Sequence, residues 1–264
     1  MKMVAAAKLH RAQRDIGALV PYSEELQGMV AHLATGEGVG RIPLAEVRED
    51  VGRVRIVGFA SNSTLCGAYN GNVAREVVGL AREYAHLGTE GVEILALGHR
   101  LSVELAREGY AAAEGAKELA ERPDYARIKD LAEGLMEAFL KGECDRVELV
   151  YYKFYSAGNQ RLVREQLLPV ELPEGGESEQ TVSYILEPSR AQLVEQIVPR
   201  QVALKLYTAA LSAVVSEHAA RMMAMQVATD NADELIKELS VEYNKQRQQA
   251  ITTELLDIMG GQQG

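Results

Sequence analysis

The sequence predicts an α/β fold in which N- and C-terminal helices form an antiparallel coiled coil flanking an α/β domain. Three observations lead there. Residues 200–259 hold neither glycine nor proline and are closed by Gly260-Gly261. Unbroken, such a helix spans about 90 Å at 1.5 Å per residue, more than the diameter of an ordinary domain. Residues 1–34 are the only other long helical stretch and its natural antiparallel partner. Between the two, from about residue 51, segments rich in β-branched residues alternate with helical patterns, as in a parallel sheet with helical crossovers.

The first helix is Ala-rich, and Pro21 within it acts as a kink or first-turn proline. Val54, Ile56, Val57 and Phe59 make residues 54–60 a strand. A polar, glycine-bearing turn over 61–71 leads to a helix over 72–87 with Val73, Val77, Leu80, Ala81 and Tyr84 on one face, stopped by Gly88 and Gly91. Residues 92–97 are a second strand, 100–108 a short helix, 124–140 a helix capped by Asp124, and 146–155 a third strand. That order is Rossmann-like. Residues 161–172 are expected as an edge strand or hairpin arm, 173–178 as an acidic loop, and 184–186 as a last short strand. Ser189 caps the following helix, which Pro199 kinks before the uninterrupted run. The resulting division is a helix with linker over 1–50, an α/β domain over 51–187 and a long helix over 188–264.

The long run has zones. Leu193, Ile197, Leu204, Tyr207, Leu211 and Val214 recur at spacings of 3, 4 or 7, a coiled-coil seam. Residues 219–228 are then apolar nearly all round, which predicts an enclosed stretch. Beyond Asp230 a stripe persists through Leu235, Ile236, Leu239, Tyr243, Ile251, Leu255, Ile258 and Met259. The N-terminal helix is about half as long as the rod, so part of the rod is covered by other chains or left bare.

The net charge of -10 argues against nucleic acid as the main partner, because phosphate binding needs a basic surface. With no Trp and three Phe, the core is built from Leu, Val, Ile and Ala. Cys66 and Cys144 lie far apart without CxxC spacing, as expected of reduced thiols in a cytosolic compartment. Five scattered histidines (His10, His32, His86, His99, His218) predict no metal site. No signal peptide is expected. The charge-free stretch 206–216 falls well short of the ~20 residues a helix needs to cross a bilayer.

Candidate chemistry is sparse. Gly67-Ala68-Tyr69-Asn70-Gly71-Asn72 sits between a strand and a helix, where dinucleotide folds hold a pyrophosphate. It lacks GxGxxG spacing, and no GxxxxGK[ST] occurs, so a glycine-eased turn is the better reading. Ser61, Ser63 and Thr64 have neither a nearby His nor a GxSxG frame. Cys66 has no cationic neighbour in sequence to activate it and reads as a small buried residue. No catalytic residue, cofactor or metal is expected. His218 and Arg221, on the apolar stretch, either face a partner or sit on a plain helix surface. Asn244-Lys245-Gln246-Arg247-Gln248-Gln249 concentrates hydrogen-bond donors near the end of the rod, either for a partner or on a solvated face. An α/β nucleotide-binding protein with a long dimerisation helix is the alternative. A passive scaffold would keep one seam throughout, and this rod does not.

Four ordered strings in the C-terminal run are Ala219-Ala220-Arg221-Met222-Met223-Ala224-Met225, Ala228-Thr229-Asp230-Asn231-Ala232, Leu235-Ile236, and residues 243–255 from Tyr243 to Leu255. Together they resemble the signature of the gamma subunit of F-type ATP synthase, the central rotor shaft. Residues 1–8 are similar to that family's N-terminal helix, and Leu65-Cys66-Gly67 to the motif after its first strand. The resemblance covers essentially the whole chain, with two departures. The family carries a further basic, Thr-containing stretch ahead of the position of Met1, and it has an Asp-basic-Gly triplet where this chain has Asn62-Ser63-Thr64. The second predicts a local change of turn. The regulatory cysteine insertion of chloroplast forms is not apparent, as expected of a bacterial-type subunit.

The resemblance implies a rotary stalk that couples proton flow through a c-ring to ATP synthesis at beta subunits, without catalytic residues of its own. Its implied partners are three alpha and three beta subunits, the epsilon subunit and the c-ring. It implies no nucleic acid, and membrane association only through the complex at the cytoplasmic face of the bacterial plasma membrane. The end of the rod would lie inside the alpha–beta ring with Met259 deepest, and the α/β domain would stand at the foot against the c-ring and epsilon. Arg247 and Gln248 resemble positions that hydrogen-bond a beta-subunit loop, and Thr252 and Glu254 continue that face. Arg221 and Met1 resemble positions linked to coupling lower on the shaft.

Overall fold

A computed structural model describes residues 1–34, 42–48, 50–88, 90–115, 117–172, 187 and 189–260. Helix α1 covers Lys2–Ala34. The central elements follow as β1 (Val54–Phe59), α2 (Tyr69–Glu83), β2 (Val92–Leu97), α3 (His99–Arg107), β3 (Ala113–Glu114), α4 (Tyr125–Leu140), β4 (Arg146–Ser156) and β5 (Asn159–Leu168). Helix α5 runs over Arg190–Gly260, 71 residues. The acidic loop expected at 173–178 and the short strand expected at 184–186 lie outside the described residues.

The strands form one sheet in the order β3-β2-β1-β4-β5. β1 pairs in parallel with β2 and β4, and β2 with β3, while β5 returns antiparallel to β4. The sheet is therefore mixed, because β4 and β5 are joined by a tight hairpin where a parallel pair would need a crossover. Both faces are covered. Ile56, Ile94, Ala96 and Val150 pack with Val73, Val77, Leu101 and Leu105 of α2 and α3. Val57, Phe59, Leu149 and Leu167 pack with Ile128 and Phe139 of α4 and with Val198, Val202 and Leu206 of α5. Gly58 lets the first layer close: a Cβ there would stand 2.6 Å from Leu101 Cδ2.

The two long helices run antiparallel. Leu9, Ala12 and Ile16 of α1 meet Leu211, Val214, Val215 and Ala219 of α5, and further along α1 Val30 and Leu33 share a core with Val194 and Val198. Leu193 and Ile197, the first seam positions, pack against the cluster that holds Val30 and Leu33 of α1 together with sheet residues, and Leu211 and Val214 against Leu9, Ala12 and Ile16. Ser189 caps α5, its Oγ accepting from the Gln192 amide at 3.4 Å. The helix continues through Pro199, so the rod is longer than its proline-free part. The carbonyl that Pro199 deprives of a donor belongs to Glu195, an exposed residue that water can serve, and buried Val198 and Val202 hold the turn in place. Pro21 in α1 is accommodated likewise, four residues after exposed Gly17.

The segment leading into β1 is tied to the sheet by Arg48. Its guanidinium lies 4.8 Å from the Phe139 ring centroid, donates to the carbonyls of Cys144 and Phe139, and pairs with Asp145 at 2.5 Å. The Asp145 carboxylate also accepts the amides of Gly52 and Arg53, at 2.8 and 2.9 Å. Burial works to raise this carboxyl, but Arg48 and the two amides outweigh it and hold the group below its ordinary range. The unfolded chain lacks those partners. The stability Asp145 confers is therefore fully present above the ordinary carboxylate pKa and is lost as pH falls through the depressed folded value. Asp145→Asn is expected to flatten the acid limb of the thermal unfolding midpoint plotted against pH; an unchanged limb would remove this group from the account.

Candidate functional site

The rod meets the α/β domain at a neck and then leaves it. In a doubly wound sheet the ligand crevice lies beyond the carboxyl ends of the strands, at the point where the strand order reverses. Here that point is between β1 and β4, and α5 crosses it. Tyr69, at the start of α2, stacks on Tyr152 of β4 with ring centroids 4.8 Å apart, and its hydroxyl donates to the carbonyl of Ala213 in α5 at 2.9 Å. Burial, reinforced by the negative charge of Glu217, pushes the Tyr69 phenol well above its ordinary pKa, so it stays a donor. Ser212 and Ser216 of α5 bond to the backbone of Phe154 and Tyr152 in β4.

One turn further along α5, Arg221 pairs with Glu217 and reaches the loop between β1 and α2. It donates to Ser63 Oγ at 2.7 Å and to the Thr64 carbonyl at 3.2 Å. In that loop Leu65 has φ 68° and Gly67 φ 61°. The Leu65 conformation is unfavourable for a residue with a Cβ. A Cβ on Gly67 would stand 3.9 Å from that of Ala224 in α5, so loop and rod are in contact. Arg221 thus finds a partner within its own chain. His218 is buried, with Nδ1 2.8 Å from Glu217 Oε2. Residues 219–228, expected to be enclosed, are only half covered. Ala219 is buried against α1, but Met223 and Val227 are 48% and 54% exposed beside a cleft of about 320 Å³ lined also by Cys66 and Tyr69.

Candidate nucleophiles are occupied. The hydroxyl of Ser61 is bonded to the Ser63 carbonyl and to Asn70, and Cys66 is buried, receiving the Asn70 amide at 3.3 Å. Burial raises the pKa of Cys144, so this second buried thiol is held in its unreactive form. Among the described residues no group of His, Cys, Asp and Glu is arranged to hold a metal ion.

Beyond the neck the rod is bare. From Val227 to Ile258 every described residue of α5 is exposed. Arg247 and Glu254, seven apart, share one side; Gln248 and Thr252, four apart, share another. The Thr252 hydroxyl bonds back to the Gln248 carbonyl at 2.8 Å. Met1, at the start of α1, is 80% exposed. The expected contact residues therefore stand on an open helix, and only Arg221 belongs to the neck. Sequence reasoning missed Tyr69, Glu217 and the serines at 212 and 216. The serines had a signal: two hydroxyls four apart in the charge-free stretch 206–216.

The family model described as ATP synthase matches residues 1–264. The ATP synthase gamma chain of Bacteroides fragilis is 44% identical over 265 residues, covering 99% of this chain and 91% of the relative. The chain belongs to the ATP synthase gamma chain family. The gamma chain of Chlorobaculum parvum is 37% identical over 263 residues, covering 99% and 90%. Among solved structures, the central stalk of Tetrahymena thermophila mitochondrial ATP synthase aligns with TM-score 0.60 at 19% identity, over 87% of this chain and 97% of that one. A chain of the Euglena gracilis mitochondrial enzyme aligns with TM-score 0.56 at 18% identity, over 98% and 92%. At those identities the structures speak for the fold. Membership makes this chain the rotary gamma subunit of an F-type ATP synthase, a membrane-associated complex. Among the described residues no helix is long and apolar enough to cross a membrane.

Proposed function

We propose that this gamma subunit receives torque at its α/β domain and delivers it at the end of α5. Residues 51–187 stand at the foot against the c-ring and the epsilon subunit, at the cytoplasmic face of a bacterial plasma membrane. Residues 188–264 form the shaft, steadied by the helix within 1–50, and its far end lies inside a ring of three alpha and three beta subunits. The chain has no catalytic residues; hydrolysis and synthesis belong to the beta subunits. As the shaft turns it offers different sides to beta subunits that are otherwise equivalent, and a ligand-free partner can bias an equilibrium only through such differential contact. A difference of about 1–3 kcal/mol changes a site's affinity roughly 5- to 150-fold. Arg247, Gln248, Thr252 and Glu254 make the contacts at the tip, while Arg221 and Met1 act lower down.

The observation that carries this reading is the uncovered rod, on which Leu235, Ile236, Leu239 and Tyr243 are all exposed. A helix of that length keeps its apolar side chains in water unless other chains surround it. The nucleotide-binding alternative has less support, because the cleft left beside α5 is lined by Cys66, Tyr69, Tyr152, Met223 and Val227 among others and by no Lys or Arg that could meet a phosphate. Reconstitution with alpha, beta, epsilon and c-ring subunits tests the proposal. The full chain is expected to support ATP-driven proton pumping into vesicles, and a chain ended before Asp230 is expected to support none. Equal pumping by the shortened chain would overturn it.

A further inference from the structure

β4 outruns its neighbour. The ladder between β1 and β4 ends with Gly58 opposite Val150, yet β4 continues to Ser156. Past that point two of its backbone groups are served by a helix in place of a strand. The Phe154 amide donates to Ser212 Oγ at 2.8 Å, and Ser216 Oγ donates to the Tyr152 carbonyl at 3.1 Å. Both serines are buried, at 3% and 0% exposure. The other hydroxyls of α5 behave differently. Thr208, Thr229, Ser240, Thr252 and Thr253 each bond back to the carbonyl four residues earlier, the ordinary local arrangement for a hydroxyl within a helix. Among the serine and threonine hydroxyls described in α5, Ser212 and Ser216 alone reach across to the sheet; further back along the helix the Lys205 ammonium donates to the Gln166 carbonyl of β5 at 2.6 Å.

We propose that Ser212 and Ser216 are positioning residues that fix the rotation of the rod about its own axis relative to the α/β domain, so that torque passes between them without slack. This rests on the rotary reading above and goes beyond it by naming where the two bodies are locked. Leu211, Val214 and Val215 of the rod pack chiefly on α1, through contacts that are non-directional and tolerate a small roll or slide. Tyr69, donating to the Ala213 carbonyl, and Arg221, donating to the loop between β1 and α2, tie the same neck to α2 and its loop, while the two serines tie it to the sheet. Hydrogen bonds weaken steeply as their angle departs from linearity. Two of them one helical turn apart, one donated by the sheet and one accepted by it, fix both the height and the facing of the helix.

The test uses the assembled ATP synthase, immobilised through its beta subunits with a bead on the c-ring, and compares Ser212→Ala/Ser216→Ala with Ser212→Thr/Ser216→Thr. In the Ala pair, amide exchange at Phe154 is expected to rise about tenfold, the equivalent of one net hydrogen bond lost. The angular distribution at each catalytic pause is expected to broaden. The Thr pair keeps both hydroxyls and should restore both readings. A role in stability alone would lower the yield of assembled enzyme without widening the pauses. If exchange at Phe154 accelerates while pause width stays that of wild type, the proposal is overturned and the rotary reading stands, because the enzyme still turns. If exchange does not change, the bonds themselves are refuted. A wild-type enzyme that does not rotate would remove the rotary reading and this inference together. Should the Ala pair fail to assemble, Ser212→Ala alone is read for the same two quantities.

Discussion

Leu239→Pro is expected to abolish ATP-driven proton pumping in the reconstituted complex while the α/β domain stays folded. Leu239 lies midway along the bare rod and is 63% exposed. Proline there removes the bond from its own amide to the carbonyl four residues earlier and sets its ring against that carbonyl, costing about 3 kcal/mol or more and bending the helix. The chain already holds Pro21 and Pro199 inside its long helices, but each has neighbours that keep the axis in place. Pro199 is flanked by buried Val194, Val198 and Val202. Among the described residues no other element packs alongside Leu239, so a bend there becomes a hinge, and a hinge dissipates torsion. Fluorescence quenching of a pH-sensitive dye in vesicles reads the pumping. A proline variant that pumps like wild type would show that the outer rod carries no torque.

Arg247→Ala together with Gln248→Ala is expected to lower turnover, or the coupling of hydrolysis to proton movement, by about tenfold. Hydrogen bonds to charged groups contribute about 1.5–3 kcal/mol each, and 1.4 kcal/mol in a barrier is about tenfold in rate. The fold has no stake in these side chains. Both residues are exposed, and the Thr252 hydroxyl leans on the backbone carbonyl of Gln248, which alanine retains. Assembly should therefore be normal, and steady-state hydrolysis measured beside proton pumping isolates the contact. Wild-type values in both assays would assign the beta-subunit contact elsewhere.

Much of the architecture could be read from periodicity, because periodicity records which face of an element is buried. The strand expected at 92–97 is β2 at the same bounds, and Asp124 does cap α4, accepting the Arg127 amide at 3.2 Å. β3 left no trace in the sequence, since two residues are too short to show an alternation. The start of α5 was legible, because Ser189 caps it as expected; the effect of Pro199 was not, since it depends on whether the freed carbonyl faces water, and that is a fact of tertiary packing. Similarly, an apolar stretch at 219–228 shows that something must cover the helix without showing how much of that cover the chain supplies.

The neck was the least legible part. Arg221 bonds to Ser63 across 158 positions of sequence, and no local pattern links them. The same turn carries Asn62-Ser63-Thr64 in place of the family's charged triplet. Asn62 has a use of its own there, its Oδ1 accepting the His99 amide and its Nδ2 donating to the Lys117 carbonyl. The tip residues could be named from resemblance alone, because an exposed helix offers no intramolecular contact from which to infer them.

The stripe from Leu235 to Ile258, which keeps its apolar side chains in water, also bears on how a cell keeps count of its subunits. Partners that bind only the folded rod stabilise it in proportion to the logarithm of their concentration, so the lifetime of the chain is set by the supply of the subunits around it. A copy made in excess displays a row of leucines and isoleucines of the kind that chaperones and proteases engage and that drives self-association. Incorporation as proposed would hide that row. On the proposed placement, the surface that turns inside the enzyme would also limit surplus copies, and the abundance of the shaft would follow that of its housing.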